Sequence, residues 1–236
     1  MVARHPLWNE HRLDALRTGL NSESHLPIEV VGEKLVLFPD GSVYWPEPAS
    51  LWLSDLHLGK AAHFRKHGVP IGSDATLATL NRLRERLKSV RPVSVYLLGD
   101  LFHSDLNREW EPFAGLCEEF SSLEWTLVRG NHDLIPPVLL EESGIALVER
   151  LDTGPFTFTH DPSDFDASFK YHVCGHIHPG IRLVGSGRQA LRLRCFHFNQ
   201  TQGVLPAYGS FTGMHLISPK SRDQVFALTD RAVIQV

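Results

Sequence analysis

Seven side chains of the types that bind transition metals recur along the chain, each close behind an apolar stretch. They are Asp55, His57, Asp100, Asn131, His160, His176 and His178. In an extended segment the Asp-x-His and His-x-His spacings place two ligands on one side, so each pair can bind one ion or two neighbouring ions. Imidazole, carboxylate and amide ligands together suit manganese, iron or zinc better than calcium or magnesium. The pattern predicts a transition-metal site.

The number of ligands favours two ions. Seven groups exceed the needs of one tetrahedral zinc ion, whereas two ions about 3.5–4 Å apart can share one carboxylate. Asp100, in the second ligand segment along the chain, is the predicted bridge. Two such ions turn a bridging water into a nucleophilic hydroxide and neutralise the oxygens of a phosphate ester. This chemistry predicts hydrolysis of phosphoesters.

His132 is the predicted acid of this reaction. It follows Asn131 and precedes Asp133. Next to a metal ligand, its imidazole could protonate the leaving oxygen. The carboxylate of Asp133 is predicted to orient the imidazole ring.

Short apolar runs that read as strands position the ligands. Predicted strands end just before them, at residues 51–54, 93–98, 124–129, 156–159 and 171–174. Predicted helices at residues 73–89 and 108–120 alternate with the earlier strands, which indicates an α/β sheet with right-handed crossovers. Sites in such sheets gather at the carboxyl ends of strands, so the ligands are expected to converge there.

The remaining segments are predicted to be mostly strand. Alternating patterns at residues 28–31, 34–38 and 42–45 indicate an antiparallel meander, and further strands are predicted at residues 146–150, 189–198, 203–208 and 225–236. Residues 1–27 form a partly helical N-terminal extension in this interpretation. Residues 28–236 form a single domain of two packed sheets, because the chain has no long linker.

Composition bounds the class of protein. The chain has 236 residues, of which 42% are apolar and 21% charged, as in ordinary globular domains. No apolar run reaches membrane-spanning length, and the first residues lack the apolar core of a signal peptide, so no membrane association and a cytoplasmic location are expected. The three cysteines are widely spaced without a CxxC pattern and are predicted to be core residues.

The formal net charge of -4 is unevenly distributed. Residues 1–179 carry 16 basic and 25 acidic residues, whereas residues 180–236 carry seven and two. Bound cations would offset part of the acidic excess. Four arginines of the last segment are possible phosphate contacts, with a solvated sheet face as the alternative: Arg182, Arg188, Arg192 and Arg194.

Several residues near the ligands have two interpretations. Lys60 and Arg65 could hold a substrate phosphate, or belong to solvated surface. His103 could approach the cluster from outside the ligand shell or mark a helix entry. His172 is a rival to His160 as a ligand, although its position within a strand favours a packing role.

The ordered motifs resemble the calcineurin-like metallophosphoesterase superfamily. The matching motifs are Asp55-x-His57, Gly99-Asp100, Gly130-Asn131-His132-Asp133, His160 and Gly175-His176-x-His178. The resemblance implies a four-layer α/β/β/α sandwich of two mixed β-sheets flanked by helices. It implies one ion held by Asp55, His57, Asp100 and His178, and a second held by Asp100, Asn131, His160 and His176. His132 would take the family's acid or transition-state role.

A closer resemblance covers most of residues 45–230 and points to the bacterial ligase-associated metallophosphoesterases of the DNA-damage response, the PdeM-like group. The segments that match this group include Leu53–Arg65, Leu98–His103, Val128–Asp133, Cys195–Phe198 and Val204–Gly213. The resemblance implies a nuclease that uses two divalent ions, with manganese favoured over iron and zinc. It further implies DNA as substrate and an association with a DNA ligase and a helicase in repair. The alternatives are a small-molecule nucleotide phosphodiesterase or pyrophosphatase, and a non-catalytic scaffold.

Overall fold

The strands of the first sheet lie side by side in the same order as they follow along the chain. The computed structural model describes residues 24–60, 75–102, 109–184, 190–210 and 212–236. Within these, the first sheet has seven strands: β1 (Leu26–Val30), β2 (Glu33–Leu37), β3 (Val43–Trp45), β4 (Ser50–Ser54), β5 (Ser94–Leu98), β6 (Glu124–Val128) and β7 (Ile145–Val148). Neighbours from β1 to β4 are antiparallel, and those from β4 to β7 are parallel. The carboxyl ends of the parallel strands therefore share one edge.

The second sheet is also mixed. In the described part of the chain its strands are β8 (Leu151–Thr153), β9 (Phe156–Phe158), β10 (Tyr171–Cys174), β11 (Pro179–Val184), β12 (Ala190–Phe198), β13 (Gln202–Val204), β14 (His215–Leu216), β15 (Gln224–Leu228) and β16 (Val233–Gln235). Their order is β14-β11-β12-β13-β10-β9-β8, with β15 on β12 and β16 on β15. Parallel pairing joins β9 to β10, β10 to β13 and β11 to β14.

Strand alternation builds two cores, one on each face of the first sheet. Along β4, Leu51 and Leu53 face one core while Trp52 faces the other, because successive side chains of a strand point to opposite faces. Between the sheets, the Trp52 ring meets Phe156 and Phe158 edge-on, with centroids 5.1 and 4.9 Å away. The helices α1 (Ala75–Val90), α2 (Trp110–Glu119) and α3 (Pro137–Glu142) contribute to the other core.

The sequence predicts an amphipathic first helix, with an apolar face of Leu77, Leu80, Leu83 and Leu87 and a solvated basic face of Arg82, Arg84, Arg86 and Lys88. Helix α1 differs from this prediction on both faces. Leu80, Leu83 and Leu87 are buried as expected, but Leu77 is half exposed. Arg86, expected on a solvated basic face, is buried, because its guanidinium pairs with Asp40 at 2.8 Å. An arginine can enter a core when a carboxylate compensates its charge.

The predicted α/β fold of two mixed sheets is confirmed, with differences at the level of strands. The predicted strand at 203–208 ends at Val204, and the strands β8, β11 and β14 were not predicted. Part of the predicted N-terminal extension, Leu26 and Pro27, belongs to β1; residues 1–23 lie outside the described residues. The three cysteines are free and buried, as predicted. None of the helices described is long and apolar enough to cross a membrane.

Candidate metal centre

Five of the candidate ligands adopt left-handed backbone conformations directly after strands. Their φ angles are 53° at Asp55, 45° at His57, 49° at Asp100, 66° at His176 and 52° at His178. Such angles are uncommon for residues other than glycine, are held only where the surroundings enforce them, and concentrate at functional sites. The backbone thus aims these side chains into one region.

Hydrogen bonds between loops enforce these conformations. The N–H groups of Asp55 and His57 donate to the carbonyls of Gly99 and Asp100 at 3.2 and 2.9 Å. Gly99, with φ of 73°, lies so close to His160 that a Cβ there would stand 2.3 Å from its Nδ1 atom. Only glycine permits this approach. The loops after β4 and β5 are therefore fixed relative to each other and to His160.

The first group of ligand atoms comes from Asp55, His57 and His178, which offer atoms all within 4.8 Å of one another. The Nε2 atoms of His57 and His178 are 3.0 Å apart, and His178 Nε2 is 3.2 Å from Asp55 Oδ1. Asp55 is fully buried, and its Oδ1 atom accepts no hydrogen bond from the described residues. A buried carboxylate oxygen without a donor, facing two imidazoles, fits a cation.

The second group comes from Asp100, His160 and His176, again with ligand atoms within 4.8 Å. His160 directs its Nδ1 at the carbonyl of Leu98, 2.9 Å away, which leaves Nε2 facing the group. That Nε2 atom is 3.1 Å from both Asn131 Oδ1 and His176 Nδ1. The amide oxygen of Asn131 thereby joins the second group.

Asp100 lies between the two groups. Its Oδ2 atom is 3.8 Å from Nε2 of His57, and its Oδ1 atom is 3.4 Å from Nε2 of His160. Oδ1 also accepts a hydrogen bond from the backbone N–H of His132 at 3.0 Å. One carboxylate therefore faces both groups, one oxygen to each.

Burial and the carboxylates affect the two buried imidazoles in opposite ways. Burial lowers the pKa of His57 to about 3, despite the charge of Asp55, so its ring is neutral. Burial also acts to lower the pKa of His160, but the hydrogen bond and charge of Asp100 and the charge of Asp55 raise it to about 9. For Asp100 itself, burial acts upward while the contacts with His160 lower the pKa to about 2. The charges of Asp100 and His160 thus stabilise each other, and Asp100 is ionised.

His132 and Asp133 occupy different environments. The His132 side chain is exposed, and its ring centroid is 6.2 Å from that of His57. Asp133 is buried, and its two oxygens accept hydrogen bonds from the N–H groups of Leu101 and Gly130, each at 2.8 Å. Both oxygens of Asp133 thus accept hydrogen bonds from backbone amides, and the carboxylate joins the loops after β5 and β6. The sequence had instead predicted that Asp133 orients the His132 ring.

Of the predicted substrate contacts, Lys60 falls among the described residues. It is half-buried and, with His57, Thr76, Thr79 and Ser210, lines a small pocket beside the first group. Burial lowers the pKa of Lys60, whereas the charges of Asp100 and Asp55 act upward. Arg65 and His103 lie outside the described residues.

The structure separates His172 from the cluster. Its ring is fully buried, and both ring nitrogens have neighbours, Thr159 Oγ1 at 2.8 Å and Gln202 Nε2 at 2.9 Å. Sequence reasoning did not identify Asp161, whose Oδ2 atom is 3.6 Å from Nε2 of His176. It also overlooked Ser54, whose hydroxyl is 2.5 Å from Asp55 Oδ2. Their only sequence signal is adjacency to ligands.

The two-sheet architecture and the two groups of metal-type ligands define a class of metal-dependent phosphoesterase, and comparison with known proteins identifies the family. Residues 50–174 match the model of the calcineurin-like phosphoesterases. The chain belongs to this family, whose members use two divalent ions. It is therefore a metal-dependent phosphoesterase. No match was found among curated protein sequences.

Among solved structures, the chain is similar to the Pseudomonas putida nuclease MPE. The two share 30% sequence identity with a TM-score of 0.75, over 90% of this chain and 100% of the other. This similarity is consistent with the resemblance of the sequence to the PdeM-like group. A phosphoesterase from E. coli, Yfce, aligns with 14% identity and a TM-score of 0.43, over 79% of this chain and 97% of its own.

Proposed function

We propose that this chain is a two-metal phosphodiesterase that acts as a nuclease on DNA. The observation that carries the proposal is the position of Asp100, whose two oxygens face two separate groups of metal-type ligands. Family membership supports phosphoester hydrolysis, and the likeness to the P. putida nuclease supports a nucleic-acid substrate.

The ligand assignment follows the two groups. One ion would be held by Asp55, His57, Asp100 and His178, and the other by Asp100, Asn131, His160 and His176. Manganese is the proposed metal in both positions, with iron and zinc as alternatives, because the ligands mix imidazole with carboxylate and amide oxygen. When bound, a pair of divalent ions neutralises phosphoryl oxygens and makes water a nucleophile at neutral pH.

His132 supplies a proton in this mechanism. Its backbone N–H donates to Asp100, which fixes the loop next to the shared carboxylate. The centroid of its exposed ring lies 6.2 Å from that of His57, and a proton on the His132 ring could pass to the leaving oxygen of an ester bound there. Asp133 holds the two loops together through Leu101 and Gly130, so it acts by positioning.

Lys60 is the proposed phosphate contact. The half-buried Lys60 helps to line the pocket beside His57, and the charges of Asp100 and Asp55 act on its ammonium group. A cation in this position can bind a non-bridging oxygen of the substrate. Arg65 and His103 remain predictions from the sequence.

Basic residues on β11 and β12 support an extended anionic substrate. Arg182 and Arg192 are direct cross-strand partners, and both are exposed. Like charges directly opposite each other destabilise a strand pair, and an anion bound between them offsets this repulsion. Because β11 begins one residue after His178, the arginines lie on a strand that leaves the metal centre. A polynucleotide entering the site could contact them.

The cellular role follows the same resemblance. We assign the enzyme to DNA repair in the cytoplasm, in functional association with a DNA ligase and a helicase. A small-molecule nucleotide phosphodiesterase or pyrophosphatase is the second candidate, favoured by the overall charge of -4, which is unusual for a protein that binds nucleic acid.

A substrate panel distinguishes these functions. Metal-free protein is reconstituted with Mn²⁺ and offered a generic aryl phosphodiester, mononucleotides, nucleotide conjugates, and single- and double-stranded DNA. Circular single-stranded DNA is included because it has no ends, so cutting it requires an endonuclease. We expect hydrolysis of the aryl ester and cleavage of DNA, including the circle.

Each other outcome has a defined meaning. Rapid hydrolysis of a nucleotide conjugate without cleavage of any DNA would replace the nuclease with the small-molecule enzyme. Cleavage of linear but not circular DNA would make the enzyme an exonuclease. A metal-loaded protein inactive on every phosphoester would support the scaffold and overturn the proposed function.

A further inference from the structure

His176 presents its two ring nitrogens to different surroundings. Nδ1 is 3.1 Å from His160 Nε2, inside the second ligand group, whereas Nε2 is 3.6 Å from Oδ2 of Asp161, outside it. An imidazole that binds a cation through one nitrogen carries its proton on the other, and an acceptor there fixes both the tautomer and the ring orientation. Asp161 occupies the position of such an acceptor.

The two oxygens of Asp161 have separate tasks. Oδ1 accepts a hydrogen bond from the N–H of Ser163 at 2.7 Å and caps the 3-10 turn Pro162–Asp164. Oδ2 is the oxygen that faces His176, 3.6 Å from its Nε2 atom. Because the cap fixes the side chain through one oxygen, the direction of the other is set as well.

A one-way chain of hydrogen bonds holds the Asp161 backbone in place. The amide nitrogen of Gln202 contacts both the carbonyl of Pro162, at 3.2 Å, and Nδ1 of His172, at 2.9 Å. An NH₂ group only donates, so Nδ1 of His172 accepts and its Nε2 carries the proton. That proton points to Thr159 Oγ1, which in turn donates to the carbonyl of Asp161 at 3.1 Å.

Burial makes this chain rigid. His172 and Thr159 are buried, and the rings of Phe165 and Phe169 stand 5.9 and 5.6 Å from the His172 ring. A buried polar network in which each donor has an acceptor specifies one geometry. The network lies beneath the turn and contains none of the seven candidate ligands.

We propose that Asp161 is a positioning residue for His176, and that the chain from Gln202 through His172 and Thr159 holds it in place. This pairing raises the affinity of the second ligand group for a divalent cation. The inference rests on the proposed function only in taking that group as a metal site; it requires no particular substrate.

Titration of metal-free protein with Mn²⁺, followed by calorimetry, tests the pairing. Asp161→Asn keeps a residue that can cap the turn but removes the charge opposite His176. We expect one of the two binding steps to weaken by about 10–100-fold, the usual effect of losing the acceptor behind a metal-binding histidine. The other step should be unchanged. The visible absorption spectrum of bound Co²⁺ reports the geometry of its ligands, so it should change in the variant and stay unchanged where a substitution in the turn does not reach His176.

Two further variants act as controls. Asp164→Asn removes the same charge from the same turn, at an exposed position, and should bind Mn²⁺ as the wild type does. Thr159→Val removes the donor to the Asp161 carbonyl and should weaken the same step as Asp161→Asn, by a smaller factor. Thermal unfolding of each metal-free variant checks that the fold is intact.

The outcomes separate this inference from the proposed function. Wild-type binding of both ions by Asp161→Asn, or equal weakening by Asp164→Asn, would overturn the pairing while leaving phosphodiester hydrolysis untouched. Conversely, a wild type that binds two ions but hydrolyses no phosphodiester would end the proposed function, and a selective loss in Asp161→Asn would still support the pairing.

Discussion

Asp40 and Asp55 are both buried carboxylates near strands of the first sheet, but their environments differ. Asp40 accepts hydrogen bonds from the N–H and hydroxyl of Ser42, at 2.9 and 2.6 Å, and from Nε of Arg86 at 2.8 Å. Asp55 has donors for Oδ2, but its Oδ1 faces imidazoles and accepts no hydrogen bond among the described residues. Asp40 is thus compensated within the protein, whereas Asp55 keeps one oxygen whose charge a bound cation would compensate.

The backbone shows the same difference. Asp55, Asp100, His176 and His178 all have left-handed φ angles, whereas Asp40 sits in a turn between β2 and β3 where its own bonds close the turn. A charge compensated within the protein needs no strained support. The candidate ligands are held in their left-handed conformations by the fold, at a cost of order 1–3 kcal/mol for each such residue.

The largest effect is expected from removing the carboxylate shared by both ligand groups. Asp100→Ala should lose bound metal and reduce turnover by at least about 10⁴-fold, a part of the total acceleration that enzymes reach, because both groups lose an oxygen. Metal analysis and hydrolysis of an aryl phosphodiester provide the measurement. Retention of two ions and wild-type turnover would show that Asp100 is not a shared ligand.

Removal of the proposed acid should affect the reaction without affecting the metals. His132→Ala is expected to slow turnover by roughly 10²–10⁴-fold, the usual contribution of one proton-transfer group. Its metal content should equal that of the wild type, since the His132 ring belongs to neither ligand group. An unchanged rate in the metal-loaded variant would show that His132 has another role.

Asp40, in contrast to the ligands, should matter for stability alone. Asp40→Asn removes the carboxylate charge 2.8 Å from Nε of the buried Arg86, whose guanidinium is stacked 3.8 Å above the Phe38 ring. Breaking a buried pair in this way typically costs about 3–5 kcal/mol of unfolding free energy. Urea denaturation measures the loss, and turnover of the folded fraction should be unchanged.

The matched control is Glu149→Gln. Its carboxylate meets Nε of Arg129 at the same 2.8 Å, but both side chains are exposed. Exposed pairs contribute at most about 1 kcal/mol. A loss as large as that of Asp40→Asn would mean that burial does not distinguish the two pairs.

The pH dependence of stability provides a second test of Asp40. Burial acts to raise its pKa, but the charge of Arg86 and the hydrogen bonds from Ser42 lower it below the usual value. Its stabilising contribution is therefore complete above the unfolded-state pKa of about 4 and disappears as the pH falls through the folded-state value. The stability difference between wild type and Asp40→Asn should shrink below about pH 4. A constant difference down to pH 3 would contradict a lowered pKa.

The smallest expected effect concerns the basic strands. Replacing Arg182 and Arg192 by glutamine should weaken binding to single-stranded DNA and reduce the salt dependence of log K by about 0.7 for each phosphate that is no longer neutralised. Turnover of the aryl phosphodiester should not change, because the small ester cannot reach both strands. Arg231→Gln, at an exposed position near the C-terminus, is the control. An unchanged salt slope in the double variant would exclude the strands as a nucleic-acid contact.

The sequence predicted the parallel half of the first sheet, and the structure brings the seven candidate ligands together at the ends of strands, because apolar runs that end in Asp, Asn or His carry a local signal. It could not predict which segments form the strands of the second sheet. Strand β14 has two residues and forms by pairing with β11. The predicted strand beyond Val204 instead crosses between sheets, where the N–H of Leu205 bonds to Cys174 and that of Tyr208 to Ser54.

The contacts of the supporting residues could not be predicted for a similar reason. Asp133 bonds to backbone amides of two loops, one of them 32 residues away, and nothing in the sequence brings those loops together. Arg86 looked like part of a basic helix face, and only the position of Asp40, 46 residues earlier, explains its burial. Ligand types are visible in a sequence, whereas their supports depend on tertiary contacts.

In the proposed mechanism the two ligand groups, which share Asp100, would each hold a divalent ion needed for phosphodiester hydrolysis. Titration of the metal-free chain with Mn²⁺, with bound metal and turnover of an aryl phosphodiester recorded together, tests this directly. We predict two ions bound per chain, with turnover reaching its maximum only when both positions are filled and disappearing when a chelator removes them. Full turnover with a single bound ion, or in the presence of the chelator, would contradict two-metal hydrolysis.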